Sequence, residues 1–277
     1  MPDPLADNST ENLPRDPVIV TGVPRTGVRL LGAILDSHPA LSSGPDLPVI
    51  ATLVQQWHEI HSNLSEHHER NHHVVPDHSR AAFREAAMKL FVPRLESTGK
   101  QRFVLQSFTA AMLLDQFATL FPEARFILTV RDPRAVVHSL LRCDWRDVRT
   151  GEALAYTRDP VAAAGFIAHH LGSMVHTARG LQMEGRLIPL PYERLCADPA
   201  GAMARVGAFL NEPYPRPFVA PGSAEMVTRS PDNPHPALRY GPVDTASLST
   251  RKPLDLGSMT AAIERLRWSL GYREHGR

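Results

Sequence analysis

Between Pro17 and Leu35 the chain reads Pro-Val-Ile-Val-Thr-Gly-Val-Pro-Arg-Thr-Gly-Val-Arg-Leu-Leu-Gly-Ala-Ile-Leu, a stretch that leaves few folds open. Val18, Ile19 and Val20 form a β-branched run with no polar alternation, the pattern of a strand buried on both faces. The turn from Gly22 to Gly27 follows, and then apolar residues recur at Val28, Leu31, Ile34 and Leu35 with helical spacing. A strand, a glycine turn and a helix in this order aim free backbone N–H groups at one point, where the positive end of the helix dipole also lies. That point suits a phosphate.

The Gly22 to Gly27 spacing is the G-x-x-x-x-G of a P-loop, but the Lys-Ser/Thr that should follow is replaced by Val28-Arg29. A kinase or ATPase needs that Lys on the transferred phosphate and that hydroxyl on magnesium. Here Arg25 sits inside the turn, so the loop is expected to hold a phosphate without a metal. The alternative is an ATP–magnesium small-molecule kinase of P-loop type, which the missing Lys-Ser/Thr disfavours.

With 277 residues and 43% hydrophobic content the chain can bury a full α/β core. Its net charge of +1 and the lack of an interleaved basic and aromatic patch argue against a nucleic-acid partner, so any anion site is local. The two cysteines, Cys143 and Cys196, form no metal or redox motif and are expected as free thiols in a reducing cytosol. No run has the length of a membrane span, and residues 1–16 have no apolar signal core, so a flexible tail is expected there in a cytoplasmic protein.

Further apolar runs end in turns that open helices. Arg102–Gln106 precedes an apolar helix expected over about Thr109–Phe121, and Arg125–Val130 precedes Arg131-Asp-Pro-Arg134 and a helix through Leu141. Arg186–Leu190 precedes Tyr192-Glu193 and a helix over about Pro199–Leu210, and a short fifth strand is expected near Leu41–Ser43. Strands alternating with helices predict an α/β protein: a P-loop-like three-layer fold, its central parallel sheet of about five strands flanked by helices, with ligands at the carboxyl ends of the strands. Residues 17–277 are expected as a single domain. Within it 51–100 reads as helical and histidine-rich, 211–256 as a proline-rich loop or lid, and 258–270 as a final helix.

Arg131-Asp-Pro-Arg-Ala-Val-Val-His-Ser139 is the second informative stretch. Arg131 ends a buried strand and Ser139 lies two turns into the next helix, so a guanidinium fork and a hydroxyl can face one anion. Asp132-Pro133 also fits a plain helix N-cap with proline at the first helical position, and Arg131 also fits a pairing with a carboxylate.

These segments occur in one order: Gly-Val-Pro-Arg-Thr-Gly at 22–27, Leu-Asp-Ser-His-Pro at 35–39, Phe-Pro-Glu-Ala-Arg-Phe-Ile at 121–127, the 131–139 stretch, and Tyr-Glu-Arg-Leu at 192–195. Asp-Pro at 198–199 and Phe-Leu-Asn at 209–211 complete the series, which resembles the PAPS-dependent sulfotransferase family, in particular its bacterial and tyrosyl-protein-like branches. The resemblance implies the donor 3′-phosphoadenosine-5′-phosphosulfate (PAPS) and no metal. It implies that Pro24, Arg25, Thr26, Gly27, Val28 and Arg29 hold the 5′-phosphosulfate, that Arg131 and Ser139 hold the 3′-phosphate, that Tyr192 lies near the nucleotide, and that Arg251-Lys252 correspond to a basic C-terminal loop. The implied reaction is metal-free, in-line transfer of a sulfonate to a hydroxyl or amine of a small molecule, glycolipid or natural product. Sulfuryl transfer leaves charge growing on the 5′-phosphate, so cationic and N–H donors at that oxygen lower the barrier. A homodimer is left open.

Three positions depart from the family pattern. Val28 and Arg29 stand where small hydroxyl residues are usual. Gln106 stands where many members carry a Lys, and as a donor to the sulfonate it supplies hydrogen bonds without charge. Asp46, after Gly44-Pro45, stands where related branches place a Glu, and is the candidate base, with Arg25 and Gln106 completing the catalytic set. Asp46 also fits an ordinary Asp in a Gly-Pro turn. His38 and His138 are alternative bases, although His38 also fits a structural cap. A nucleotide-binding protein of this fold that is inactive, or that does different transfer chemistry, is the alternative these departures suggest. The histidines from His58 to His78 lack an HExxH spacing and read as a solvated helix, not a metal site.

Overall fold

The computed structural model describes residues 13–214 and 254–272. Five parallel strands form its sheet: β1 Val18–Thr21, β2 Leu41–Ser43, β3 Arg102–Gln106, β4 Arg125–Val130 and β5 Leu187–Pro191, in the order β2-β3-β1-β4-β5. Val18 pairs with Val104 on one side and Arg125 on the other, which makes β1 the central strand. Pro189 and Pro191 lack N–H donors and are tolerated because β5 pairs with β4 alone.

Alternate strand residues supply two cores. Ile19, Phe103, Leu105, Phe126 and Leu128 face one way, toward Trp57, Phe91 and Phe117. Val18, Val20, Val104, Ile127 and Leu190 face the other way, toward Leu31, Ile34, Met203 and Val206. A sheet apolar on both faces needs helices on both, and the chain provides them. Helices α1 (Val28–Asp36), α10 (Tyr192–Ala197) and α11 (Pro199–Leu210) cover the second face.

The first face is covered from residue 48 onward by α2 (Pro48–Glu59), α4 (Pro76–Lys89) and α5 (Val92–Thr98), while the π-turn over Ile60–Leu64 and α3 (Ser65–His72), which connect α2 to α4, bury no residue. Further along come α6 (Thr109–Met112), α7 (Leu114–Leu120), α8 (Pro133–Leu140), α9 (Pro160–Met183) and α12 (Thr260–Ser269). The single helix expected over Thr109–Phe121 is two: Leu113 leaves the helical region (φ −119°, ψ 31°) and the hydrogen-bond ladder restarts at Leu114. The long α9 has no counterpart in the sequence-based expectations. Its start nevertheless uses the Asp-Pro signal of α8 and α11. Asp132 accepts from Arg134 N–H (2.9 Å), Asp159 from Ala162 N–H (2.6 Å) and Asp198 from Gly201 N–H (2.9 Å), each followed by a proline whose absent N–H costs nothing there.

The order β2-β3-β1-β4-β5 reverses direction at β1, so the carboxyl ends of β3, β1 and β4 converge on one crevice. Its floor is closely packed. The Gln106 side chain lies against α1 at Gly32, where an added Cβ would come within 2.1 Å of the carboxamide carbon. Gly32→Ala is therefore expected to destabilise the fold by about 1–3 kcal/mol through overpacking, despite the better helix propensity of alanine. Gln106→Ala is expected to cost about 1–3 kcal/mol through lost hydrogen bonds. Because each change acts through the other side chain, the double variant should lose clearly less than the sum in urea denaturation.

Candidate functional site

At the carboxyl end of β1, Gly22 (φ 153°) turns against β4: a Cβ there would meet the Thr129 carbonyl oxygen at 2.4 Å. The turn is locked from inside. The Thr26 hydroxyl donates to Val23 O (2.7 Å) and lies 2.8 Å from the Thr129 hydroxyl, which reaches Thr21 O at 3.1 Å. Thr26 therefore shapes the loop with its side chain, and its backbone N–H donates to Val23 O (3.3 Å). Gly27 (φ 104°) is the α1 N-cap and provides no side-chain cap, so the first-turn N–H groups of α1 keep no intrahelical partner. Tyr192 packs on Gly27 so closely that a Cβ would lie 2.6 Å from its ring.

Arg25 occupies the left-handed region (φ 74°), uncommon for a side-chain-bearing residue and a local strain of about 1 kcal/mol. In this conformation its Nε donates to the Ser139 hydroxyl (3.0 Å), while Arg131 Nη1 donates to the Arg25 carbonyl (3.0 Å). The two sequence stretches are thus directly bonded. Arg131 is 8% exposed, its guanidinium lies 4.2 Å above the Tyr192 ring, and its Nε is buried without a partner. Among the described residues no carboxylate forms an ion pair with it. Burial pushes the Arg131 pKa down, with Tyr192 and Glu193 opposing, and burial pushes the Tyr192 phenol up to about 12. Asp132 is indeed a helix cap, and the two readings of this stretch coexist: the cap fixes the start of α8 and Arg131 precedes it.

The loop after β2 carries Asp46. Its side chain is solvent-accessible, yet the protein around the carboxyl pushes its pKa up. Hydrogen bonds from the Ser107 hydroxyl and Leu47 N–H and the charge of Arg29 offset this in part. Ser107 is itself fixed beside β1, with its N–H on Val20 O (3.1 Å) and its carbonyl accepting from Thr21 (2.7 Å). Arg29 is exposed at the start of α1 on the Asp46 side, whereas Val28 packs toward the core under the second sheet face.

Gln106 takes a different part from the one the sequence suggested. Its amide nitrogen donates to Ser43 Oγ (2.9 Å) and Gly44 O (2.8 Å), which uses both of its hydrogens. A sulfonate donor is not free in this arrangement. The side chain instead braces the loop two residues before Asp46. His38 is held at both ring nitrogens, by Ala40 N–H (3.1 Å) and Pro213 O (3.2 Å), with its pKa lowered by burial, which makes it a cap at the far end of α1. Arg251 and Lys252 lie outside the described residues, as do the greater part of 211–256 and residues 1–12.

Several contributors carried no recognised sequence signal. Glu193 accepts from Asp132 N–H (3.1 Å) and from the Tyr272 hydroxyl (2.7 Å), and Arg267 of α12 grips the Asp132 carboxylate (3.1 Å). These contacts tie the residues next to Arg131 and Tyr192 to the final helix. Ser107 was foreseeable only as the neighbour of Gln106.

The parallel sheet with its switch point, and a turn of P-loop spacing joined to a second basic stretch, define a three-layer α/β protein with a candidate anion site at the strand ends. The sequence profile described as the sulfotransferase family matches residues 17–216, and the chain belongs to that family. Protein-tyrosine sulfotransferase 1 of Danio rerio is 29% identical over 276 residues, covering 93% of this chain and 72% of that protein. The Homo sapiens protein of the same name is 33% identical over 129 residues, 45% of this chain, and the match spans about a third of that relative's length. Among solved structures, the sulfotransferase domain of the Synechococcus PCC 7002 olefin synthase aligns over 95% of this chain and 97% of that one at 20% identity, with a TM-score of 0.62, a likeness of fold. The sulfotransferase domain from the curacin biosynthetic pathway aligns equally well (TM-score 0.62, 19% identity, 94% and 98%). Among the described residues no helix is long and apolar enough to cross a membrane, and no three His, Cys, Asp or Glu side chains form a metal-type group.

The raised Asp46 pKa has a stability consequence. A carboxyl that holds its proton more tightly when folded stabilises the fold fully below its unfolded pKa of about 3.9, and that contribution is lost as pH rises through the higher folded value. Asp46→Asn is therefore expected to change the thermal midpoint more favourably at neutral pH than near pH 4. A midpoint that falls more at neutral pH than at acid pH would contradict the assignment.

Proposed function

We propose that this protein is a sulfotransferase that takes PAPS as donor and moves its sulfonate to a hydroxyl group. The observation that carries the reading is the direct bonding of the two basic stretches: Arg25 to Ser139, and Arg131 to the Arg25 carbonyl. This joins a phosphate-type loop to a buried cation whose Nε has no partner, so an anionic group supplies what the protein leaves unpaired. The residues present fit a nucleotide with phosphates at both 5′ and 3′ positions. Pro24 to Arg29 would hold the 5′ end through backbone N–H groups and Arg25, and Arg131 with the Ser139 hydroxyl would hold the 3′-phosphate. Tyr192 supports both by packing on Gly27 and Arg131.

The donor supplies a sulfonate on a phosphate leaving group. The acceptor oxygen forms a bond to sulfur while the sulfur–oxygen bond to the 5′-phosphate breaks, and the acceptor proton goes to Asp46. The raised pKa brings that carboxyl toward the range where a base works at neutral pH. Arg29 and the α1 N-terminus favour the charge that grows on the phosphate, without a metal. Similarity to protein-tyrosine sulfotransferases over 93% of the chain favours a phenolic hydroxyl as the first acceptor to try, alongside small-molecule, glycolipid and natural-product hydroxyls or amines.

The test separates binding from transfer. The product nucleotide 3′,5′-ADP is expected to raise the thermal midpoint, and Arg131→Ala to remove most of that rise. Asp46→Asn should keep the rise but lower transfer of labelled sulfonate from PAPS by about two to four orders of magnitude. A normal nucleotide response in the wild-type chain without transfer to any acceptor would instead establish the inactive, nucleotide-binding alternative. No response to 3′,5′-ADP, with a response to ATP and magnesium, would overturn the proposal altogether.

A further inference from the structure

The strand sequences share an element that the nucleotide site does not use. Arg102 opens β3, Arg125 opens β4, Arg186 immediately precedes β5, and Arg15 lies just before β1. In the sheet order these residues form a row along the amino-terminal edge, and they line a cavity of about 330 Å³ together with Asp16, Glu123 and Glu184. The row lies at the opposite end of the strands from Arg131, roughly 20 Å away along β4.

Three features distinguish this cavity from a solvated charged rim. Arg102 is 3% exposed, and its Nε donates to the Asp16 carbonyl (3.0 Å), but among the described residues its two terminal nitrogens have no partner. These terminal N–H groups keep access to solvent at the cavity and are therefore open to an acceptor that enters it. Arg186 bonds Ala118 O and Phe121 O (both 2.9 Å), yet its Nε is buried without a partner. Arg125 uses Nη1 on Gly185 O (2.6 Å) and packs 5.4 Å over Phe209, which leaves the rest of its fork unused.

The neighbouring carboxylates leave Arg102 and Arg125 aside: two of them pair with Arg15 and Arg186 of the row, and Asp16 is bonded by Arg84. Asp16 is bonded by Arg84 Nε (2.9 Å) and Glu123 N–H (3.0 Å), Glu212 pairs with Arg15 (2.9 Å), and Glu184 lies 3.6 Å from Arg186. The Glu123 side chain is exposed. Arg102 and Arg125 therefore remain without a carboxylate ion pair. Burial, with the like charges of Arg15 and Arg125, pushes the Arg102 pKa down to about 10 despite Glu212 and Asp16, the sign of a cation in need of an anion.

We propose that this cavity is a second anion site, separate from the nucleotide loop, that binds a tetrahedral oxyanion between Arg102 and Arg125. Inorganic phosphate, sulfate and phosphomonoesters share the required chemistry, because planar guanidinium forks match pairs of tetrahedral oxygens. The proposal is independent of the sulfonate-transfer reading.

The experiment is calorimetric titration of inorganic phosphate at constant ionic strength into the wild-type chain and into Arg125→Gln, Arg102→Gln and Arg131→Ala. Phosphate is expected to keep its affinity for this cavity in Arg131→Ala, where only a separate binding event at the nucleotide loop would be lost, and to bind the cavity of Arg125→Gln about tenfold or more weakly, the loss of one charge-assisted contact. Arg102→Gln should abolish binding, and Arg125→Gln keeps the test decisive if that buried substitution fails to fold. Binding that survives in Arg125→Gln but is lost in Arg131→Ala would place the phosphate in the nucleotide loop and overturn the proposal, as would no binding to the wild type. Repeating the titration with sulfate and with glycerol phosphate distinguishes the sources. Equal affinities support a free oxyanion, and tighter glycerol phosphate binding supports an organic phosphomonoester.

Discussion

Arg131 leaves β4 at the carboxyl edge of the sheet, donates one hydrogen bond to the backbone of the first loop, and lies over the Tyr192 ring. It is a nearly buried charge with no paired carboxylate among the described residues, a condition that normally costs several kcal/mol. The surrounding structure is arranged to hold the charge in place without neutralising it. Tyr192 presents a ring face, the Arg25 carbonyl accepts a single hydrogen bond, and Glu193, the nearest acid in sequence to Tyr192, is turned to Asp132 N–H and Tyr272. The conformation of the loop depends on this residue too, because Arg25 can hold its left-handed backbone while its carbonyl is fixed by Arg131 and its side chain by Ser139. The candidate anion site is thus an arrangement of cations held by dipoles and a π-face.

The opposing wall of the crevice is built from the end of the shortest strand. β2 has three residues, yet Ser43 at its end is held by Asp36 through its N–H (2.7 Å), by Arg94 at its carbonyl (3.0 Å) and by Gln106 at its hydroxyl (2.9 Å). Gly32 makes room for the Gln106 side chain to reach there. Gln106 is thus a neutral brace, and the loop it braces carries Asp46. The cation near Asp46 is Arg29, from the opposite wall. The crevice therefore has a cation from α1 beside the candidate base, while the β3 side chain facing that loop is neutral.

Much of this was legible in the sequence because the residues concerned act locally. β-Branched runs set β1 and β4, glycine spacing set the loop, and Asp-Pro set the starts of α8 and α11, each through interactions within a few residues. The bond between Arg25 and Ser139 spans 114 positions, and the sequence could indicate only that both residues suit an anion. Gln106 was misassigned because donor chemistry is visible in a sequence and the direction of a side chain is not. Its satisfaction by Ser43 and Gly44 follows from β2 lying beside β3, a tertiary fact. The helix α9 escaped although Asp159-Pro160 repeats the cap signal, since its alanine, glycine and histidine content gives no sharp apolar stripe.

The final helix shows how distant chain segments enter the site without touching the anion position. Arg267, 7% exposed, holds both oxygens of Asp132 (3.1 and 3.2 Å) and also Glu264 (2.8 Å), while Arg134 reaches Glu264 from α8 (2.8 Å). Asp132 is at once the cap of α8 and the residue after Arg131, so the grip of Arg267 fixes the helix that carries Ser139 and the backbone that carries Arg131. Tyr272 does the same for Glu193, the residue after Tyr192. Burial and the neighbouring Glu193 push the Tyr272 phenol well above its ordinary range, so it stays a neutral donor to that carboxylate at any physiological pH. Asp132 and Glu193 are themselves bridged by the Asp132 N–H, which makes a closed circuit from α12 through both carboxylates. The geometry of Arg131 and Tyr192 is therefore set as much by residues 264–272 as by the motifs in which the two residues lie.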